Sequence, residues 1–403
     1  MAQADRVMDD WRGRVVYHIF LDRFADVERP EEWDTPEFIG GSLRGAIEKL
    51  PYLKELGVNA LWLSPFFKGV SYHGYHITDM YSVDERFGAE EDLRELIGEA
   101  HGLGMKVICD FVPNHVSKEH PYFKEALEDS KSEYRRWFFF DKHDGYLAFL
   151  NFEELAKLNL DYAPAMEHVK GAARKWLGMG FDGMRIDHVI GLSNENVREL
   201  FGGMKEEFTD VMFVGEAGMG ASHSLKEMKT LRVPHKYLFW LARKCTVRAN
   251  NILMKNYVGL LDGVLDFVQM EYLENYAKVD ERGKVRCRRA VEKQAEKFKD
   301  EILQFTFLDN HDKERFLYRV GGDKEKLVEA AGLQLGLKQP AIVYYGTEVG
   351  MGQEMSFVEH GEYADLLARQ AMVWDEERRN EPLFNFYRDK IEARVSYKVT
   401  NVD

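Results

Sequence analysis

Gly183-Met184-Arg185-Ile186-Asp187-His188 ends an apolar, β-prone run with a carboxylate set between arginine and histidine. Two later stretches end the same way, Val214-Gly215-Glu216-Ala217 and Leu308-Asp309-Asn310-His311-Asp312. Each puts an acid where a strand should give way to a loop. With these three runs (183–187, 212–216 and 303–308) go five more, at 15–21, 60–64, 106–112, 264–268 and 341–345. Amphipathic patterns lie between them, among them 43–56, 92–103, 166–177 and 324–336, with leucines on one face and Lys or Glu on the other. Eight strands alternating with helices predict an α/β fold, a (β/α)8 TIM barrel.

The spacing departs from that pattern once. About 70 residues separate the third and fourth runs, where a βα unit takes about 30–45. The excess is aromatic and charged, and includes Tyr134-Arg135-Arg136-Trp137-Phe138-Phe139-Phe140. A small subdomain inserted after strand three is therefore expected, with barrel segments 1–116 and 163–403 around an insertion at 117–162. The stripe 137–140 reads as the core of that subdomain rather than as a sugar platform. No low-complexity tract marks a second independent domain.

Composition narrows the class. The chain has 403 residues, of which 45% are hydrophobic and 31% charged, and a net charge of −14. That balance argues against nucleic acid or an anionic membrane as partner and favours a neutral or cationic ligand. The first ten residues hold no apolar signal core, and no run is long enough to span a bilayer. Cys109, Cys245 and Cys287 are odd in number and far apart, and Cys109 sits inside a strand pattern, so it reads as core. A cytoplasmic location is expected. The acidic set Asp22, Asp26, Glu28, Glu31 and Glu32 does not follow EF-hand spacing and reads as a solvated loop rather than a Ca2+ site.

Barrel active sites form at the carboxyl ends of the strands. Asp110, Asn114 and His115 follow strand three, and Arg185 and Asp187 end strand four. Glu216 ends strand five, while His311 and Asp312 follow strand seven. Tyr17 lies in strand one and His73-Gly74-Tyr75-His76 after strand two. All are expected at one mouth. Three acids there suit cleavage of a glycosidic bond with retention, which needs an ionised nucleophile and a protonated acid. Arg185 projects to the same side as Asp187 and would hold it ionised. Glu216, near two other carboxylates, would keep its proton, and Asp312 would stabilise the positive transition state. Core histidines are the competing reading for His115 and His311. His101, His120, His143, His168 and His235 have no motif context and read as surface or structural.

These residues resemble the α-amylase family, glycoside hydrolase family thirteen. The first family motif is matched by Asp110-Phe-Val-Pro-Asn114-His115, the second by Gly183-Met-Arg185-Ile-Asp187, the third by Val214-Gly-Glu216 and the fourth by Asp309-Asn-His311-Asp312. Supporting matches include Val15-Val-Tyr17-His-Ile-Phe, His73-Gly-Tyr75-His and Tyr344-Tyr-Gly-Thr-Glu348. The resemblance implies Asp187 as nucleophile, Glu216 as acid/base and Asp312 as third acid. It further implies an oligosaccharide substrate, with Tyr75 stacking on the sugar and His115, Arg185 and His311 hydrogen bonding it.

Departures from the family bear on the substrate. The predicted last helix, 383–395, leaves eight residues, so the family's antiparallel β-sandwich is not expected. That helix would be exposed or covered by a second subunit, which leaves room for a homo-oligomer. No starch-binding module is recognisable, which argues against attack on granular starch. The insertion motif Leu155-Ala-Lys157-Leu-Asn159 is similar to that of the neopullulanase and cyclomaltodextrinase branch. Many amylases hold calcium through an Asp there; Lys157 and Asn159 speak against it, and no cofactor is expected to be required. His188 after the nucleophile, and Ala217-Gly218 after the acid, resemble transferring and trehalose-forming relatives on the acceptor side. Hydrolysis of maltodextrins is the leading expectation, with glycosyl transfer or isomerisation beside it. An inactive binding barrel is the remote alternative, which the presence of all three acids opposes.

Overall fold

Which side chains meet inside a barrel is decided by strand alternation. The computed structural model describes residues 3–400 apart from 144, 151, 220–240, 243 and 376–378, so His235 lies outside the described residues. Eight strands close on themselves: β1 Val15–Ile19, β2 Ala60–Leu63, β3 Lys106–Phe111, β4 Gly183–Ile186, β5 Met212–Gly215, β6 Gly263–Leu265, β7 Leu303–Phe307 and β8 Ala341–Tyr344. All pairings are parallel, and Val16 opposite Ile342 closes the ring. Every expected strand forms, each ending one to three residues before its apolar pattern does. β6 stops earliest because Asp266 caps the helix Phe267–Lys278, accepting from the Gln269 amide at 2.9 Å. The expected helix 43–56 is two, Leu43–Glu48 and Leu50–Leu56, since Pro51 has no amide to continue the first.

Val16, Ile108, Met212, Val214, Phe305 and Ile342 fill the barrel interior. Cys109 faces the other way, into the layer between strands and helices. The helix Gln3–Arg12 plugs the bottom of the barrel with Val7 and Trp11, whose ring lies 6.2 Å from Phe305. The helix Glu381–Thr400 crosses the β1–β8 seam. Its Arg394 donates to the carbonyls of Leu335 at 2.8 Å, Gly13 at 3.2 Å and Arg12 at 3.2 Å.

Between β3 and β4, strands His115–Ser117, Ala148–Phe149 and Phe152–Lys157 form a small antiparallel sheet over the helix Pro121–Glu128. Phe138 is buried against Phe123, and Trp137 packs edge-on to Tyr122 and Tyr134. The stripe 137–140 is thus packed within this segment. Asp22 departs from the solvated loop expected of it. It is buried, contacts Arg23 at 3.3 Å and accepts the Ile39 amide at 3.1 Å, and burial pushes its carboxyl up to about 6.

Tyr17 also departs from expectation. In β1 the even positions point inward, so His18 stacks on Trp62 with centroids 3.6 Å apart, and Tyr17 points outward. Its hydroxyl donates at 2.8 Å to buried Glu348, which also accepts from Tyr52 at 2.8 Å. Tyr17 is a structural residue behind the barrel wall. Tyr17→Phe should lower unfolding free energy by about 1–2 kcal/mol in urea titrations, with kcat/KM changed less than about twofold; a large kcat/KM loss would return Tyr17 to the site.

Candidate active site

The carboxyl ends of the strands open into a cavity of about 580 Å³. Tyr75, His115, Asp187, His188, Glu216, His311 and Asp312 all line it. Two other sequence-identified residues, Asp110 and Arg185, lie fully buried beneath, and Tyr17 is outside.

Arg185 is the centre of the floor. β3 and β4 set Asp110 beside Arg185 in register, and inward alternation aims both at the axis. Arg185 Nη1 contacts Asp110 Oδ1 at 2.7 Å and Asp187 Oδ1 at 2.9 Å, while Nη2 lies 3.0 Å from Glu216 Oε2. Asp187 and Glu216 sit one residue beyond their strands, yet their amides continue the ladder, donating to Phe111 O at 2.8 Å and Ile186 O at 2.9 Å. Glu216 Oε2 also accepts the His188 amide at 2.9 Å. His188, next after Asp187, adopts a left-handed φ of 41°, a strained conformation for a residue other than glycine.

Asp110 ties a second set of groups to that floor. Its Oδ2 accepts from Tyr75 Oη at 2.9 Å and Trp62 Nε1 at 3.1 Å. Tyr75 Oη lies 2.8 Å from His311 Nε2, itself 3.0 Å from Asp312 Oδ2. Arg369 completes the chain, donating to Asp312 Oδ1 at 3.0 Å and His311 O at 2.9 Å, and pairing with Asp365. Burial alone would raise Asp312, but the adjacent His311 and Arg369 hold its carboxyl well below the ordinary value. Asp187 goes the other way. Burial pushes it well up against the pull of Arg185, and the charges of Glu216, Asp110 and Asp312 push further. Burial likewise raises Asp110. The proton affinity of the cluster is therefore raised. His115 is lowered by burial to about 3, so its ring is neutral.

Sequence reasoning missed several lining residues. Phe149 packs against the His115 ring at 4.5 Å and edge-on to His188 at 4.6 Å. It comes from the insertion, and neighbouring aromatics gave no sign of which one reaches the cavity. Asp365 and Arg369 follow β8 in and at the end of the short 3-10 helix Ala364–Ala368; their one signal was the four-residue spacing of opposite charges.

Lys157 sits where the insertion meets the loop after Asp187. Its buried ammonium donates to Asn114 Oδ1 and, at 2.7 Å, to the Gly191 carbonyl. A cation already occupies the oxygens between insertion and nucleophile loop, so this donor set does not fit a divalent metal.

Asp110→Asn removes a negative charge that raises Asp187, so the cluster should lose its proton more readily. The alkaline limb of kcat/KM should move to lower pH, with activity down about 10²-fold; an unmoved or raised limb in the pH profile would contradict this electrostatic account.

Comparison with known proteins agrees with the geometry. The family model described as alpha amylase, catalytic domain, matches residues 18–403. Alpha-amylase 2 of Dictyoglomus thermophilum is 31% identical over 386 residues, covering 95% of this chain and 63% of that protein. Neopullulanase 2 of Thermoactinomyces vulgaris is 29% identical over 409 residues, covering 96% and 63%. The chain thus spans under two thirds of both relatives. The structure of cyclic alpha-maltosyl-(1→6)-maltose hydrolase from Arthrobacter globiformis in complex with maltose superposes with a TM-score of 0.76 at 25% identity, covering 97% of this chain and 85% of that one. With an eight-stranded barrel, the acids gathered at its carboxyl end and a family match over nearly its whole length, the chain belongs to the α-amylase family.

Proposed function

We propose that the protein is a retaining glycoside hydrolase that opens α-glucosidic bonds in maltodextrins or related short oligosaccharides. The observation that carries this reading is one guanidinium, Arg185, touching both Asp187 and Glu216. That sharing favours the short carboxylate separation of retention, about 5–5.5 Å. The names of the relatives, an amylase, a neopullulanase and a maltosyl-maltose hydrolase, support the bond class.

In the first step an Asp187 oxygen attacks the anomeric carbon while Glu216 gives its proton to the departing oxygen. The glycosidic bond breaks and a glycosyl ester forms. In the second step Glu216 takes a proton from water, the water oxygen bonds the anomeric carbon, and Asp187 leaves as carboxylate. Arg185 keeps Asp187 Oδ1 engaged and leaves its other oxygen to attack. Asp312, fixed by His311 and Arg369, opposes the positive charge of the oxocarbenium-like transition state. The Tyr75 ring suits the apolar face of the pyranose, while the ring nitrogens of His115, His188 and His311 suit its hydroxyls. The free thiols of Cys109, Cys245 and Cys287 support a reducing cytoplasm as its location.

No divalent metal takes part in this reading, because Lys157 supplies the positive charge that joins insertion and nucleophile loop. EDTA should leave the rate of the purified enzyme unchanged; loss of activity restored by Ca2+ would refute this. For the reaction itself, maltotriose followed by NMR should release products first as α anomers. Asp187→Asn should fall by about 10⁴-fold or more while its circular dichroism stays native. Initial β anomers would exclude retention, and near-normal turnover of the variant would exclude Asp187 as nucleophile.

A further inference from the structure

The ester on Asp187 can be opened by water or by a sugar hydroxyl, and the wall on the leaving-group side selects between them. The acid locates that wall, because the departing group lies on the side of Glu216. From Glu216 the chain runs directly into Gly218 and Met219, which both line the cavity. A Cβ on Gly218 would come within 2.6 Å of the Phe267 ring, so glycine there lets Phe267 close against the strand exit that carries the acid.

Met219 is pinned in both directions to Asn250. Its amide donates to Asn250 Oδ1 at 2.8 Å, and Asn250 Nδ2 donates to the Met219 carbonyl at 3.2 Å. Asn250 belongs to the helix Thr246–Asn256, whose first residue, Thr246, donates through Oγ1 to Glu271 Oε2 at 3.1 Å. Glu271 and Phe267 share the first turns of the helix Phe267–Lys278, separated from β6 by Asp266 alone. Thr246, Asn250, Phe267 and Glu271 all line the cavity. The facing wall, Tyr75 with His311, Asp312 and Arg369, is knit together by its own contacts at 2.8 to 3.0 Å. The cavity therefore has two separately built walls, and no step of the double displacement uses the one that holds Glu271.

We infer that Glu271, oriented by Thr246, anchors a hydroxyl of an acceptor sugar lying over Phe267, so that a short saccharide competes with water for the glycosyl group. This inference rests on the retaining reading above. In the transfer step the reacting hydroxyl of the acceptor gives its proton to Glu216, its oxygen bonds the anomeric carbon, and Asp187 departs as carboxylate. A second hydroxyl of the same acceptor donates to Glu271, and the apolar face of its ring lies on Phe267. A neutral acceptor suits the site, since Asp187, Glu216, Asp312 and Glu271 all line it.

The test uses α-glucosyl fluoride as donor, whose leaving fluoride needs no sugar on this wall, with maltose added as acceptor. The readout is the ratio of trisaccharide to glucose, in which the amount of folded enzyme cancels. Wild type should form trisaccharide. Glu271→Ala should lower the ratio about tenfold and Thr246→Val about threefold, losses expected for a removed hydrogen bond and for a removed orienting one. Ratios within about twofold of wild type for both variants, or no trisaccharide from wild type, would overturn the acceptor site while leaving hydrolysis intact. A wild type that releases no glucose above the uncatalysed rate would overturn the retaining reading and this inference together.

Discussion

Three carboxylates in this barrel lean on one cation. Arg185 is almost wholly buried, and burying a guanidinium is tolerable only when its charge is matched. Asp110, Asp187 and Glu216 supply that match from three adjacent strands. Removing a partner from such a buried cluster typically costs about 3–5 kcal/mol, so the active-site floor is also part of the fold. The same cation pulls against the burial and crowding that favour protonation of Asp187. Asp110 extends the constraint upward, since its second oxygen holds Tyr75, and Tyr75 sets His311.

What the chain made legible follows from what each level of structure repeats. Strands repeat every two residues, and the eight apolar runs were visible for that reason. The acids were visible because each ends such a run. Tyr17 misled for a related reason: a fully buried strand is apolar on both faces, so composition does not say which face looks inward. The stacking of His18 on Trp62 settles that phase, and it depends on a neighbour 44 positions away. Phe149 reaches the cavity from a two-residue strand, and Asp365 and Arg369 from a single short 3-10 turn and its end, elements too short for a period to link a residue number to a direction. Lys157 was noticed as a departure from a motif, but its contacts with Asn114 and Gly191 join two separate loops.

The two walls differ in how they are made. On the side of Tyr75, His311 and Arg369, side chains bond directly to one another and to the floor, so the sugar meets a rigid frame. On the side of Met219 and Glu271, backbone and side chain alternate through Asn250 and Thr246, and the parts come from two helices. In the proposed reaction bond breaking would thus rest on groups at the strand ends, and the choice of acceptor on the segments that follow them, as the barrel architecture allows.

Arg394 has a consequence for how the protein is made. It reaches across the β1–β8 seam to the carbonyls of Arg12 and Gly13 before β1 and of Gln339 before β8, and β8 is the last barrel strand to be synthesised. β1 must therefore wait for its second neighbour while the intervening barrel is synthesised, on the order of tens of seconds at typical elongation rates. Through that interval it presents an unpaired edge, the kind of surface that invites misassembly between nascent chains. The helix Glu381–Thr400 acts as a clasp on a ring whose first strand waits longest for its second neighbour.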